Sequence, residues 1–181
     1  FTNGDVLLSG TAGATTVLVT GTGANYNVAV SGMANSGTVV ANIPAGAAQD
    51  ASSNVNSPST STDNTVTFDN NEPMVTINQA AGQADPTNGS PINFTVIFSE
   101  SVTGFNGADV ALTGTAGATT AVVTGSGTTY TVAVSGMTGS GTVTLTVPAN
   151  SATDVSGNGN TASTSTDNTV TYDVTAPTVT I

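Results

Sequence analysis

The chain contains no lysine, arginine, histidine, cysteine or tryptophan. Against 11 aspartates and glutamates this leaves a formal charge of −11, and only 6% of residues are charged, where globular chains carry about 25%. Salt bridges between side chains are therefore impossible. Phosphate recognition, nucleic-acid binding and docking on an anionic membrane all draw on cationic side chains, so those functions are excluded. The usual general bases and nucleophiles, His, Cys and Lys, are missing too, and the chain reads as non-enzymatic. Without cysteine there is no disulfide framework, and the redox compartment cannot be read. No apolar run approaches the roughly 20 residues that span a bilayer, so no transmembrane segment is expected. Phe1-Thr2-Asn3-Gly4-Asp5 shows neither an initiator Met nor a signal-peptide pattern, and the expectation is a processed or excised piece.

What is present is a repeat. Shifted by 104 positions, residues 1–77 lie over 105–181 without a gap and match at about 47 of 77 places. A period near 100 residues is that of a tandem domain array and is too long for a solenoid. The expected organisation is a partial repeat at 1–73, a complete one at 74–173, and a linker with the start of a third at 174–181. Val, Ile and Thr make up about 64 residues and good helix formers are scarce, so the chain reads as all-β.

Alternation of period two places Ile92, Phe94, Val96 and Phe98 on one face of a strand, as it does Tyr130, Val132 and Val134, and Val143, Leu145 and Val147. Turn signals such as Gly125-Ser126-Gly127 and Ser156-Gly157-Asn158-Gly159 separate the runs. The predicted strands of the complete repeat are A at 74–79, B at 91–99, C at 109–113, D at 119–124, E at 128–135, F at 141–148 and G at 165–173. Seven short strands in about 100 residues predict tandem immunoglobulin-like Greek-key β-sandwiches. Strand count alone leaves other Greek-key sandwiches open.

The segments FSESV, FNGADVALTGTAG, YTVAVSGM, GTVTLTVPA and TDVSGNGNTAS, followed by the linker from Asp173 to Ile181, resemble the bacterial Ig-like repeats of large secreted and surface proteins. The resemblance covers essentially the whole chain. It implies tandem stalks of adhesins and biofilm proteins, an extracellular or cell-surface location, and, as in several relatives, calcium at domain junctions.

Eight of the eleven acidic residues pair at the 104 offset: Asp5 with Asp109, Asp50 with Asp154, Asp63 with Asp167, Asp69 with Asp173. In a seven-strand sandwich the B–C and F–G loops lie where the preceding domain enters. Glu100 is expected to follow strand B, Asp154 and Asn158 lie between F and G, and the entering linker carries Asp69 and Glu72. Clustered carboxylates repel and raise one another's pKa, and with no Lys or Arg the neutralising charge must come from solution. Oxygen-only ligands favour Ca²⁺. The expected metal residues are therefore Asp69, Glu72, Glu100, Asp154 and Asn158, with Asp85 and Asp173 in a comparable place at the opposite end. The competing reading is that these residues only make Asx turns. Gly-x-Gly pieces sit in hairpins, which argues against a phosphate loop. The carboxylates lack the aromatic platform that would suit a glycosidase.

The function expected is a non-enzymatic extracellular structural module, a section of a tandem array forming an adhesin stalk or surface filament and rigidified by calcium at its junctions. Its partners would be neighbouring repeats or identical subunits. The alternative is a carbohydrate- or receptor-binding module. Residues 1–73 lack strands A and B, and with them four large core residues worth roughly 1.5 to 3 kcal/mol each. Either those strands precede this piece in a longer polypeptide, or another subunit donates them, as in donor-strand polymers.

Overall fold

The computed structural model describes all 181 residues, which divide into two compact units, Phe1–Asn71 and Glu72–Ile181. Unit 1 holds β1 (Leu7–Ser9), β2 (Thr16–Thr22), β3 (Asn25–Ser31), β4 (Gly37–Asn42) and β5 (Thr65–Phe68). Unit 2 holds β6 (Val75–Gln79), β7 (Ile92–Val102), β8 (Ala111–Thr113), β9 (Thr120–Ser135), β10 (Gly141–Thr146) and β11 (Thr169–Tyr172). No helix is long and apolar enough to cross a membrane.

Unit 2 is a two-sheet sandwich of the immunoglobulin kind. One sheet runs β6-β7-β9 and the other β11-β10-β8, with every ladder antiparallel. The alternating faces meet between the sheets: Ile92, Phe94, Val96 and Phe98 pack with Tyr130, Val132, Val134, Val143, Leu145, Val147 and Val170, all buried. Phe98, Phe105 and Tyr130 form a three-ring cluster with centroids 5.2 to 5.8 Å apart in edge-to-face geometry, an arrangement that adds to simple area burial. The Tyr130 hydroxyl donates to the Val102 carbonyl at 3.0 Å, so the buried phenol is satisfied.

Five predicted strands, B, C, D, E and G, differ from those observed. Strands D and E are one continuous run, β9, which folds back on itself so that Thr119 N–H reaches the Ser135 carbonyl at 3.1 Å. Gly125, at φ +114°, makes that fold possible, because a Cβ there would stand 2.5 Å from the Thr129 carbonyl oxygen. Strand B continues past 99 to Val102, with a shift of register between Ile97 and Val102. The shift lets the strand bend and still pair Val102 with Gly127.

Strand G shortens to 169–172 because the residues before it belong to the other sheet. Thr164 N–H donates to the Val75 carbonyl, Gln79 N–H to the Asp167 carbonyl, and Ile77 N–H to Ser165 Oγ. This stretch runs parallel to β6, and the chain then crosses to β10. Strand C starts late because a 3-10 turn, Gly107–Asp109, precedes it and is closed by a reciprocal pair of bonds between Asn106 and Asp109.

In unit 1, β1-β4-β5 form one sheet and β2-β3 a hairpin paired from Thr16↔Ser31 to Thr22↔Asn25. These are the counterparts of β8 to β11 at the 104 offset. Nothing in unit 1 corresponds to β6 or β7.

Candidate metal centre

The proposed ligands reside on three pieces of unit 2 and one of unit 1. Glu72 is exposed and precedes the buried Pro73, whose carbonyl accepts from Thr161 N–H at 2.9 Å. Glu100 was expected after strand B but lies inside β7, within the stretch between Ile97 and Val102 where the register shifts, and is half-buried. Asp154 and Asn158 lie on the loop between β10 and β11. An antiparallel bridge joins the two regions: Thr103 N–H donates to the Thr153 carbonyl at 2.8 Å, and Thr153 N–H returns the bond at 3.0 Å. Glu100 and Asp154 therefore approach, each with a carboxylate oxygen within 4.8 Å of one on the other.

The loop owes its shape to its own residues. Asp154 Oδ1 accepts from Ser156 N–H and from Asn158 N–H, each at 2.8 Å, and Oδ2 accepts from Asn158 Nδ2 at 2.9 Å. Burial on its own raises the Asp154 carboxyl, but bonds from Asn158, Ser156 and Gly157 outweigh it and hold the group below the ordinary aspartate value. Asp154 is thus kept ionised although only 5% exposed. Asn160, fully buried, pins the loop's stem: its Oδ1 accepts from Ala152 N–H, while Nδ2 donates to the Pro148 and Thr161 carbonyls. Sequence reasoning passed over Asn160, although its recurrence as Asn56 was visible.

Unit 1 supplies a control. Asp50 accepts from Ser52 N–H, Asn54 N–H and Asn54 Nδ2 at 2.8 to 2.9 Å, and the Asn54 bonds lower its carboxyl as well. The same Asx loop forms there without a partner equivalent to Glu100, so loop geometry by itself marks turn chemistry. What sets Asp154 apart is the second carboxylate beside it.

Five further aspartates have structural work. Asp69, at the end of unit 1, accepts from Ser36 Oγ at 3.0 Å and Asn71 N–H at 3.1 Å. Its counterpart Asp173 accepts from Ser140 Oγ and from Thr175 N–H, and the Thr175 bond leads in lowering its carboxyl. Asp5 closes a turn with Thr2 as Asp109 does with Asn106. Asp85 accepts from Thr171 N–H on Oδ1 and from Gln79 Nε2 on Oδ2, which ties its loop to β11. Asp85 and Asp173 are both engaged in these turns at the opposite end.

Glu100 and Asp154 present hard oxygen donors with no cationic side chain in the chain to balance them. Such a pair suits an oxygen-seeking divalent cation and offers no ligand for softer metals. In the comparison with protein families, a bacterial Ig-like domain matches residues 69–172, more than half of the chain. No curated protein and no solved structure matches.

Proposed function

Because the chain belongs to the bacterial Ig-like domain family, we propose that it is a non-catalytic structural module of a tandem extracellular array, a section of an adhesin stalk or surface filament. One observation carries this reading: the two copies keep the same loop bonds as well as the same strands, Asp50 matching Asp154, Asn56 matching Asn160 and Asp69 matching Asp173. A module selected to recognise a ligand would diversify its loops, whereas a repeating spacer repeats them.

Calcium is the second part of the proposal: Glu100 and Asp154 form the core of its site, and Asn158 orients Asp154. Extracellular modules of this type bind Ca²⁺ at about 10⁻⁴ to 10⁻³ M. A hundredfold excess of ligand over its Kd stabilises a fold by about 2.7 kcal/mol. The test is thermal melting of the whole chain with 10 mM Ca²⁺ and with chelator, repeated on Glu100→Gln. Calcium should raise the midpoint by several degrees in the parent and much less in the variant, and an unchanged midpoint in the parent defeats the calcium reading.

A further inference from the structure

Three asparagines of the chain precede a glycine: Asn3, Asn88 and Asn158. An asparagine side chain and the next backbone nitrogen can close a five-membered imide, and a following glycine, with no Cβ, leaves that nitrogen accessible. The chemistry is the same at all three, so what separates them is how the fold holds each one.

Two are held. Asn3 opens the 3-10 turn Asn3–Asp5, and its Oδ1 accepts from Val19 N–H of β2 at 2.7 Å. Reaching the Gly4 nitrogen would require breaking that bond and unwinding the turn. Asn158 is held from both sides: its N–H and its Nδ2 donate to the two oxygens of Asp154 at 2.8 and 2.9 Å, and its carbonyl accepts from Asp154 N–H at 3.1 Å. Gly159 pairs with Thr153 in an antiparallel bridge, and Asn150 fills the space where its Cβ would stand.

Asn88 is held by neither means. It lies between β6 and β7, it is exposed, as is Gly89, and its side chain is hydrogen-bonded to no other residue. The loop is anchored as far as Thr87, whose N–H donates to the Thr171 carbonyl and whose carbonyl accepts from Asp173 N–H. Past that point the backbone is open: apart from the adjoining residues, the one atom within 4 Å of a Cβ placed at Gly89 is Thr87 Oγ1, at 3.4 Å. The same Oγ1 accepts the Gly89 N–H at 3.0 Å. The Thr87 hydroxyl is therefore placed to receive the proton that this nitrogen gives up when it attacks.

We propose that Asn88 is a site of spontaneous modification, converting through a succinimide to aspartate and isoaspartate, while the fold protects Asn3 and Asn158. The Gly89 nitrogen bonds to Asn88 Cγ, the Cγ–Nδ2 bond breaks, and Nδ2 leaves as ammonia with the proton given up by Gly89. Water then opens the ring. Cleavage at Cγ yields aspartate, and cleavage at the main-chain carbonyl yields isoaspartate, whose backbone is one carbon longer. Either product sets a new carboxylate in the shallow pocket of about 300 Å³ that Asn88 shares with Asp173, so this end of unit 2 gains negative charge with age.

The test incubates the purified 181-residue chain at pH 8 and 37 °C and follows it by mass spectrometry after cleavage at aspartates, since trypsin has no site in it. The peptide of residues 85–108 should gain the mass difference between an amide and an acid, with isoaspartate at position 88 in electron-transfer fragments, at least tenfold faster than Asn3 and Asn158 convert. In guanidinium chloride the three rates should converge, because the protection comes from the fold. Gly89→Ala places its Cβ at an ordinary contact distance and outside the positive-φ set, so it should keep the fold and slow conversion of Asn88 at least tenfold. Conversion of Asn3 or Asn158 as fast as Asn88 in the folded chain, an Asn88 that stays intact in the folded chain while the denatured chain converts, or an unchanged rate in Gly89→Ala overturns the proposal.

Discussion

Five aspartates of this protein are held in their ionised form by hydrogen bonds from backbone N–H groups and polar side chains. Asp154, Asp50, Asp85, Asp173 and Asp5 all lie below the ordinary aspartate value, and in each case hydrogen bonds are what lower it. A carboxyl whose folded pKa is depressed stabilises the fold above its unfolded value of about 3.9 and loses that contribution as pH falls through the lower folded value. Stability should accordingly be flat from neutral pH to about 4.5 and decline below about 4. Urea unfolding at intervals between pH 7 and 2 measures this, and a decline beginning near pH 6 would contradict it. The recurrence of these aspartates was legible in the sequence, and so was the choice between turn chemistry and metal binding. Which reading applied to each was not, because the deciding bonds to Ser156, Asn158 or Thr171 depend on loop conformation. At Asp154 both readings meet, since its turn is complete and Glu100 still lies alongside.

At the level of elements, period-two alternation placed the core-facing residues of β7, β9 and β10 correctly, since burial on a strand is a local property of the pleat. It could not show that the stretch before β11 pairs with β6, because Ser163 to Asn168 are all polar and carry no apolar alternation to assign them to a sheet. Nor could it show that β9 turns within one continuous ladder. Two glycines sort out where backbone freedom matters. Gly125→Ala forces a side chain into the left-handed region against the Thr129 carbonyl and should cost more than about 1 kcal/mol. Gly139 meets nothing within 4 Å and is outside the positive-φ set, so Gly139→Ala should be neutral or stabilise by about 0.5 kcal/mol. Denaturant midpoints of the two variants provide the check, and equal effects would refute the distinction.

For the molecule as a whole, the two units share a sequence pattern but differ in how much of it they bury. The core of unit 2 draws on both sheets, whereas the only buried apolar residues of unit 1 are Val6 and Ala12. Local stability follows buried apolar contact. Native-state hydrogen exchange should therefore find the slowest amides in β7, β9 and β10, and those of β2 and β3 should exchange at least tenfold faster. Equal protection in the two units would refute this ordering.

The sequence by itself determined that this is an all-β repeat of period 104, which residues of each strand face inward, and that no cation of the chain could balance its carboxylates. Composition and alternation carry that information locally, residue by residue. Only the tertiary structure decided which strands share a sheet, where β7 shifts register, and that Glu100 comes to lie beside Asp154. Those outcomes rest on pairings between segments some 50 residues apart, such as Thr103 with Thr153, and no local pattern encodes which distant backbone groups will find each other.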